Sequence, residues 1–439
     1  MKFFINKSTK KIILTFSSRG FSAGGTLLLT ISLGYLLKAS GTGLFMIGFS
    51  TMMGLKAIGC LGMENAILRF GGESWGRKLF DLLSQYFTCS IFISIVICLP
   101  VSIIFFAAAP YIAHTFFSHE EIGILFKIVA IAYPFLVITS VMCAWMRACE
   151  LPEISSFFEI GSISLILSAV LWINYFSGCV FFEINPTSAM LVLLTIVVIE
   201  AFVGILFVRL FFNISLSSWI NKKYCKKFTS SLVDYFCIDF IFYITQWGAV
   251  IFLGVFSSST DVGIFTVAHR LAFTVNFIIN VLESVVAPKF SHLYSIDDNY
   301  NFKKLALNTT KYMFILSLPV MMIMLFFPSY ILGFWGKDFL AGKYILMILA
   351  FSQFINIITG PVAFILCMTG YQKKLRNVLV VSASAGIMGY VVIVPALGGI
   401  GAALSVLITV VIQNVVPVFL VKKYFGLNTL LWWKRYKRD

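Results

Sequence analysis

Twelve runs of about 20 mostly apolar residues follow one another along this chain, separated by short segments that collect its basic residues. A helix needs roughly 20 apolar residues to cross a hydrocarbon core of about 30 Å. Inside that core only helices and closed barrels satisfy their own backbone polar groups. The runs cover about 12–36, 42–63, 84–110, 122–146, 156–176, 188–212, 232–256, 262–287, 312–333, 340–368, 378–396 and 398–421. The weakest division is the last, where Pro395 and the Gly398-Gly399 pair form the only break between two spans. The chain therefore reads as an all-α integral membrane protein with twelve transmembrane helices.

Composition excludes the alternatives. Of the 439 residues, 60% are hydrophobic and 12% charged, about half the charge a soluble surface of this size requires. The longest polar stretches, 213–231 and 288–311, are too short to bury a core of their own, so a separate catalytic domain is not expected. The formal charge of +15 would point to nucleic acid in a soluble chain. Its distribution argues against that partner. With the N-terminus inside, the inner segments hold 25 basic residues, among them Lys2, Arg69, Arg147, Lys222, Lys289, Lys373 and Lys434. The outer loops hold Lys38, Lys337 and Lys343 alone. This asymmetry places both termini in the cytoplasm. The basic tail after Trp432-Trp433 is expected to rest on anionic membrane lipids.

Shifting the chain by 220 residues lays the second span on the eighth. Gly43 meets Gly263, Phe45 meets Phe265, Ile58 meets Ile278, Arg69 meets Lys289 and Phe70 meets Phe290. An even number of spans per copy makes the halves parallel, as in transporters built from two bundles. The expected organisation is a six-helix bundle over 1–212, a cytoplasmic linker over 213–231, a second bundle over 232–421 and a tail over 422–439. A central cavity would lie between the bundles.

Ionisable residues within spans are costly and mark pathways or pairings. Arg19, Lys56, Lys127 and Arg270 remain after the loops are counted, and Arg209 lies near enough to a helix end to snorkel. The acids Glu200 and Asp239 are coupling candidates, and Arg19 falls on Asp239 under the 220-residue shift. On the eighth span Thr266, His269, Phe273, Asn276, Asn280 and Glu283 share one helix face. Tyr235, Asp239, Tyr243 and Gln246 repeat the pattern on the seventh span, and Gln353 and Asn356 add to it on the tenth. Such stripes suit a hydrated cavity or interhelical hydrogen bonds. The cations suit phosphate and the amides and rings suit sugar hydroxyls, although a simple anion carrier would show the same list.

Catalytic and metal signatures are missing. There is no Walker loop, and Gly20-Phe21-Ser22-Ala23-Gly24 lies inside a membrane helix, so the letters of a nucleophile elbow carry no weight there. His114 and His119 with Glu120 and Glu121 are not spaced as a helical metal pair. Nine cysteines without a C-x-x-C pair read as small apolar residues. No metal or cofactor is expected.

The stretch Gly263-Ile-Phe-Thr-Val-Ala-His-Arg-Leu-Ala, running on to Ala287-Pro-Lys-Phe-Ser-His-Leu-Tyr294, resembles the seventh-to-eighth-helix signature of polysaccharide exporters. Gly43-Leu-Phe through Leu61-Gly-Met-Glu-Asn-Ala-Ile-Leu-Arg-Phe70, and Arg147 with Pro152, resemble the matching first half. These exporters belong to the multidrug/oligosaccharidyl-lipid/polysaccharide superfamily. The resemblance implies a MATE-like fold and an O-antigen (Wzx-type) flippase of the inner membrane that carries undecaprenyl-diphosphate-linked oligosaccharide to the periplasmic leaflet. It implies a cationic lumen and coupling to a proton or sodium gradient; by position within the spans and by charge, Arg19, Lys56, Lys127 and Arg270 would hold the substrate and Asp239 and Glu200 would be the coupling groups. The polysaccharide polymerase and chain-length regulator are candidate partners. Twelve spans set the chain apart from the fourteen-helix lipid II flippases. An organic-cation exporter of the same fold is the alternative, and a membrane enzyme is disfavoured by the short outer loops.

Overall fold

The computed structural model describes residues 2–117, 121–177, 182–212, 226 and 228–431; the side chains at 2–19, 21–23, 211–212, 234, 238, 280–281, 283–285, 287–288, 291 and 431 lie outside the description. Of the described residues 91% are helical, and no strand occurs among them. Among the described residues, nine helices are long and apolar enough to cross a membrane. A tenth joins them if Pro152–Phe158 and Ile160–Phe176, bent by 42°, form one span.

Two of these helices are far longer than one crossing. Helix α1 (Lys2–Cys60) has 59 residues, about 90 Å at the usual helical rise, where a bilayer core is about 30 Å. It breaks at Lys38, which has φ of 59°. At the other end of the chain, α15 (Gln372–Phe425) has 54 residues and breaks at Gly398, with φ of 50° and ψ of −130°. Glycine reaches positive φ without a Cβ clash, and Pro395 just before it lacks the amide that would continue the ladder. Both breaks fall where the sequence separates two spans. The halves of α15 also lie antiparallel against each other. Gly386 abuts Thr409, and Gly389 abuts Ser405, where an added Cβ would lie 2.7 Å from the hydroxyl.

By backbone proximity the chain divides into two units, Met1–Trp247 and Gly248–Asp439. The first contains α1, α2 (Met63–Gly76), α3 (Phe80–Phe116), α4 (Glu121–Ala148), the short α5 (Pro152–Ser155), α6 (Ile160–Phe176) and α7 (Pro186–Phe212). It also contains most of α8 (Leu232–Phe256). Helix α4 is apolar on nearly every side and packs against α1, α2, α3 and α7, as a helix without a polar face must. Its Phe126, Tyr133 and Trp145 are fully buried. The Tyr133 hydroxyl donates to the Cys98 carbonyl at 2.5 Å, and the Trp145 indole donates to Ser90 Oγ at 3.1 Å. By contrast, α3 exposes Ile103, Ile104 and Tyr111 by about two thirds or more, an apolar face that only lipid can cover.

One sequence reading is corrected in this unit. Cys89 takes part in a disulfide and is not simply a small apolar filler. Cys60, Cys98, Cys143, Cys149, Cys237 and Cys367 are free.

The second unit holds α9 (Ser259–Phe273), α10 (Val275–Ser295), α11 (Asn299–Phe326), α12 (Pro328–Gly333), α13 (Lys343–Thr359), α14 (Val362–Met368) and α15. Helix α13 packs against α9, α11 and α15. A second core gathers Phe290, Phe302, Ile365, Leu366 and Val421 where α10, α11, α14 and α15 converge. Ser258 and Asp298 cap α9 and α11 by accepting backbone N–H bonds three residues on.

Candidate functional site

Four charged side chains of the first unit gather where α1 ends. The chain leaves α1 through Leu61 and Gly62, both at positive φ, and re-enters helix at Met63. An added Cβ at Gly62 would lie 2.5 Å from the Phe236 amide nitrogen, so the turn requires glycine. This reversal brings Glu64, in the first turn of α2, back beside Lys56 in the last turns of α1. Lys56 Nζ lies 3.0 Å from Glu64 Oε1, and Arg147 Nη2 lies 3.3 Å from Glu64 Oε2. The other Arg147 amino group reaches Glu159 Oε1 at 3.2 Å. The four side chains are between 20% and 32% exposed, so this is a half-buried network and not a surface pair. Burial alone would raise the Glu64 pKa, but Lys56 and Arg147 outweigh it and hold the carboxyl below its ordinary range.

Two cavities adjoin this network. One, of about 260 Å³, is lined by Lys56, Cys60 and Glu64 and by Asp239, Phe242, Tyr243, Gln246 and Trp247 of α8. The other, of about 230 Å³, shares Lys56 and Glu64 and adds Ser140, Arg147 and Glu159. Asp239 Oδ1 accepts from the Asn65 amide at 2.9 Å, and the Tyr243 hydroxyl donates to the Ser50 carbonyl at 3.2 Å. These bonds fix α8 against α1 and α2. Trp247 packs on Phe49 with ring centroids 5.4 Å apart.

Lys56, Asp239, Tyr243 and Gln246 are thus brought together as the sequence stripes suggest. The lining around Lys56 itself is not cationic. The larger cavity carries one ammonium and two carboxylates, because Glu64 lies eight residues beyond Lys56 across a turn that helical spacing does not reveal. Lys127 also departs from expectation. It is exposed near the start of α4, with its ammonium 5.9 Å from the Phe106 ring, and it lines neither cavity. Its long stem lets the charge lie outside the apolar interior. The Arg19 side chain lies outside the described residues, as do those of Asn280 and Glu283. Glu200, on α7, is 7% exposed, and among the described residues neither of its carboxylate oxygens has a hydrogen-bond partner.

In the second unit His269 is buried between Phe265 and Phe273, with centroid separations of 5.7 and 4.1 Å. Arg270 is half-buried beside it. The Asn356 amide donates to Asn276 Oδ1 and to Gln353 Oε1, each at 3.3 Å. The amide stripes of α10 and α13 therefore meet as an interhelical network. Asn356 and Asn276 are half-buried, and Gln353 is 1% exposed.

Glu64, Asn65, Arg147 and Glu159 are the members that span-by-span reasoning passes over. Each lies just past or near a helix end, where a charge looks like an interfacial anchor. The usable signal was Glu64-Asn65 inside the family-like stretch ending at Phe70.

The sequence model of the polysaccharide biosynthesis protein family matches residues 8–294. No curated protein sequence matches the chain significantly. Among solved structures, the lipid II flippase MurJ in an inward closed conformation superposes with a TM-score of 0.74 at 16% identity, over 97% of this chain and 94% of that one. An inward-facing multidrug resistance MATE transporter superposes at 0.72 and 13% identity, over 94% and 98%. A superfamily transporter from Pyrococcus furiosus, described as having a binding pocket of reversed polarity, gives 0.61 at 14%, over 97% and 96%. Identities this low establish the fold alone. The likeness to the lipid II flippase is as extensive as that to the multidrug transporter, although twelve spans had set this chain apart from the fourteen-helix lipid II flippases.

Proposed function

Because the chain belongs to the polysaccharide biosynthesis protein family, we propose that it is a flippase that moves an undecaprenyl-diphosphate-linked repeat unit, of an O-antigen or similar polysaccharide, from the cytoplasmic to the periplasmic leaflet. The family match over 8–294 is the observation that carries this reading. The fold shared with membrane transporters supports it.

In this reading the chain lies in the inner membrane with both termini in the cytoplasm. The twelve spans of this reading are the two broken helices counted as two each, the bent pair counted as one and the seven other long apolar helices. The domains are 1–212 and 232–421, with 213–231 as linker and 422–439 as tail, and transport proceeds by alternating access without covalent chemistry. Arg19 and Arg270 are the cations that meet the diphosphate, since a guanidinium suits two phosphate oxygens at once. Glu200 and Asp239 are the groups through which a proton or sodium gradient is coupled. The polymerase and chain-length regulator remain the candidate protein partners.

The acid excess and aromatic lining of the α8 cavity favour a second reading, an organic-cation exporter of the same fold. One experiment separates the two. The chain and its Arg19→Ala and Arg270→Ala variants are expressed at equal membrane abundance in a strain lacking its own flippase. The flippase reading expects the parent chain to restore surface polysaccharide and the variants to fail. Failure of the parent chain with several different repeat units, together with resistance to cationic dyes, would replace it with the exporter.

A further inference from the structure

The cavity beside α8 has a chemistry that the diphosphate does not explain. Its Lys56 ammonium is already 3.0 Å from Glu64, and Asp239 adds a second carboxylate to the lining. A diphosphate placed there would meet two negative charges and one cation that is already engaged. The remaining lining is of a different kind. Phe242, Tyr243 and Trp247 present ring surface, and Gln246 presents an amide with both donor and acceptor atoms. Phe242 is 63% exposed, an aromatic ring left uncovered at a cavity wall.

Rings beside carboxylate and amide groups suit a neutral ligand with an apolar face and a rim of hydroxyls. The rings take the face, and the carboxylate and amide oxygens accept from the hydroxyls. At about 260 Å³ the cavity is slightly below the usual range of about 300–1,000 Å³ for small-molecule sites. It therefore takes one ring of a saccharide and not a whole repeat unit.

We propose that this cavity is a sugar subsite, which takes a single pyranose of the lipid-linked substrate on Phe242 and Trp247, with Gln246 and Asp239 bonding its hydroxyls. The inference rests on the flippase reading above and deepens it by separating the sugar contact from the diphosphate contact. In the proposed orientation, the end of α1 and the first half of α8 face the cytoplasmic leaflet, where the sugar is first met. The Asn65–Asp239 and Tyr243–Ser50 bonds position this wall and keep it in place without a ligand.

The test compares two probes, undecaprenyl diphosphate and the same lipid carrying one N-acetylglucosamine, bound to the purified full chain in nanodiscs and read by native mass spectrometry. The subsite predicts that the parent chain prefers the sugar-bearing lipid by about tenfold or more, an aromatic contact and one hydrogen bond together. Trp247→Ala and Gln246→Leu should each bring that ratio to within about threefold of unity, and Trp247→Phe should keep most of it. A parent ratio near one, or a ratio that survives both substitutions, overturns the subsite while leaving the flippase reading intact. Binding of neither lipid removes the flippase reading and the subsite with it. Saturable binding of rhodamine 6G that Trp247→Ala abolishes, with no change in the sugar ratio, reassigns the cavity to organic cations.

Discussion

Glu64→Ala is expected to destabilise the first unit by more than an ordinary surface charge deletion would. The carboxylate accepts from Lys56 at 3.0 Å and from Arg147 at 3.3 Å, and its removal leaves Lys56 without its ion pair and Arg147 with Glu159 alone. Breaking a fully buried pair costs about 3–5 kcal/mol, and breaking an exposed one costs about 0–1 kcal/mol. With 26% of the Glu64 side chain exposed, the cost should fall between these limits, at about 2–3 kcal/mol. For a unit of this size, each kcal/mol lowers Tm by roughly 2–4 °C, so a drop of about 4–12 °C is expected. The assay is intrinsic tryptophan fluorescence during heating in detergent, for which Trp145, packed between α3 and α4, is a reporter. Charge balance supplies a sharper version. Glu64→Gln and Lys56→Met each leave the four-residue network with one unbalanced charge, and the double substitution restores neutrality. The double variant should therefore be about 1–2 kcal/mol more stable than the sum of the single losses predicts. A single loss under about 0.5 kcal/mol, or strict additivity, would refute the half-buried network.

The same carboxyl sets an acid limit. Its pKa in the folded protein is held below the ordinary 4.5 by Lys56 and Arg147 against burial, so its contribution is complete above about 4.5 and is lost as pH falls through the depressed value. Melting curves from pH 7 downward should show an acid loss below about 4.5 that is shallower in Glu64→Gln; identical slopes would contradict it. In the second unit, Asn356→Leu should cost about 1–3 kcal/mol, because it strips the donor from buried Gln353. An unchanged Tm would mean that the amides are hydrated separately. Glu200→Gln should leave Tm within about 2 °C, since among the described residues neither oxygen has a bond to lose, while removing the dependence of translocation on the imposed ion gradient. Gradient-dependent transport that survives the substitution would exclude Glu200 from coupling.

Much of the architecture was legible because lipid imposes simple rules. Apolar length marked the spans, and Pro395 with Gly398-Gly399 marked the turn that divides α15, although the helical ladder runs almost continuously past it. Lys38 marked the corresponding break in α1 by its charge alone. The stripes on α10 and α13 did meet, as Asn276, Gln353 and Asn356 show. The charge balance of the site was not legible. Helical periodicity relates residues three or four apart, whereas Lys56 reaches Glu64 around a left-handed turn and Arg147 arrives from another helix entirely. The same limit applies to Lys127, whose sequence position looks intramembrane but whose side chain is exposed.

The central claim is that this chain translocates a lipid-linked sugar, and reconstitution tests it most directly. The purified chain is placed in liposomes loaded with undecaprenyl diphosphate carrying one N-acetylglucosamine in the inner leaflet, and a sugar-binding lectin outside reports arrival. The account predicts that lectin-accessible lipid rises with time only in liposomes containing the chain, and that Arg270→Ala abolishes the rise. Liposomes that move a cationic dye but never expose the sugar would contradict it.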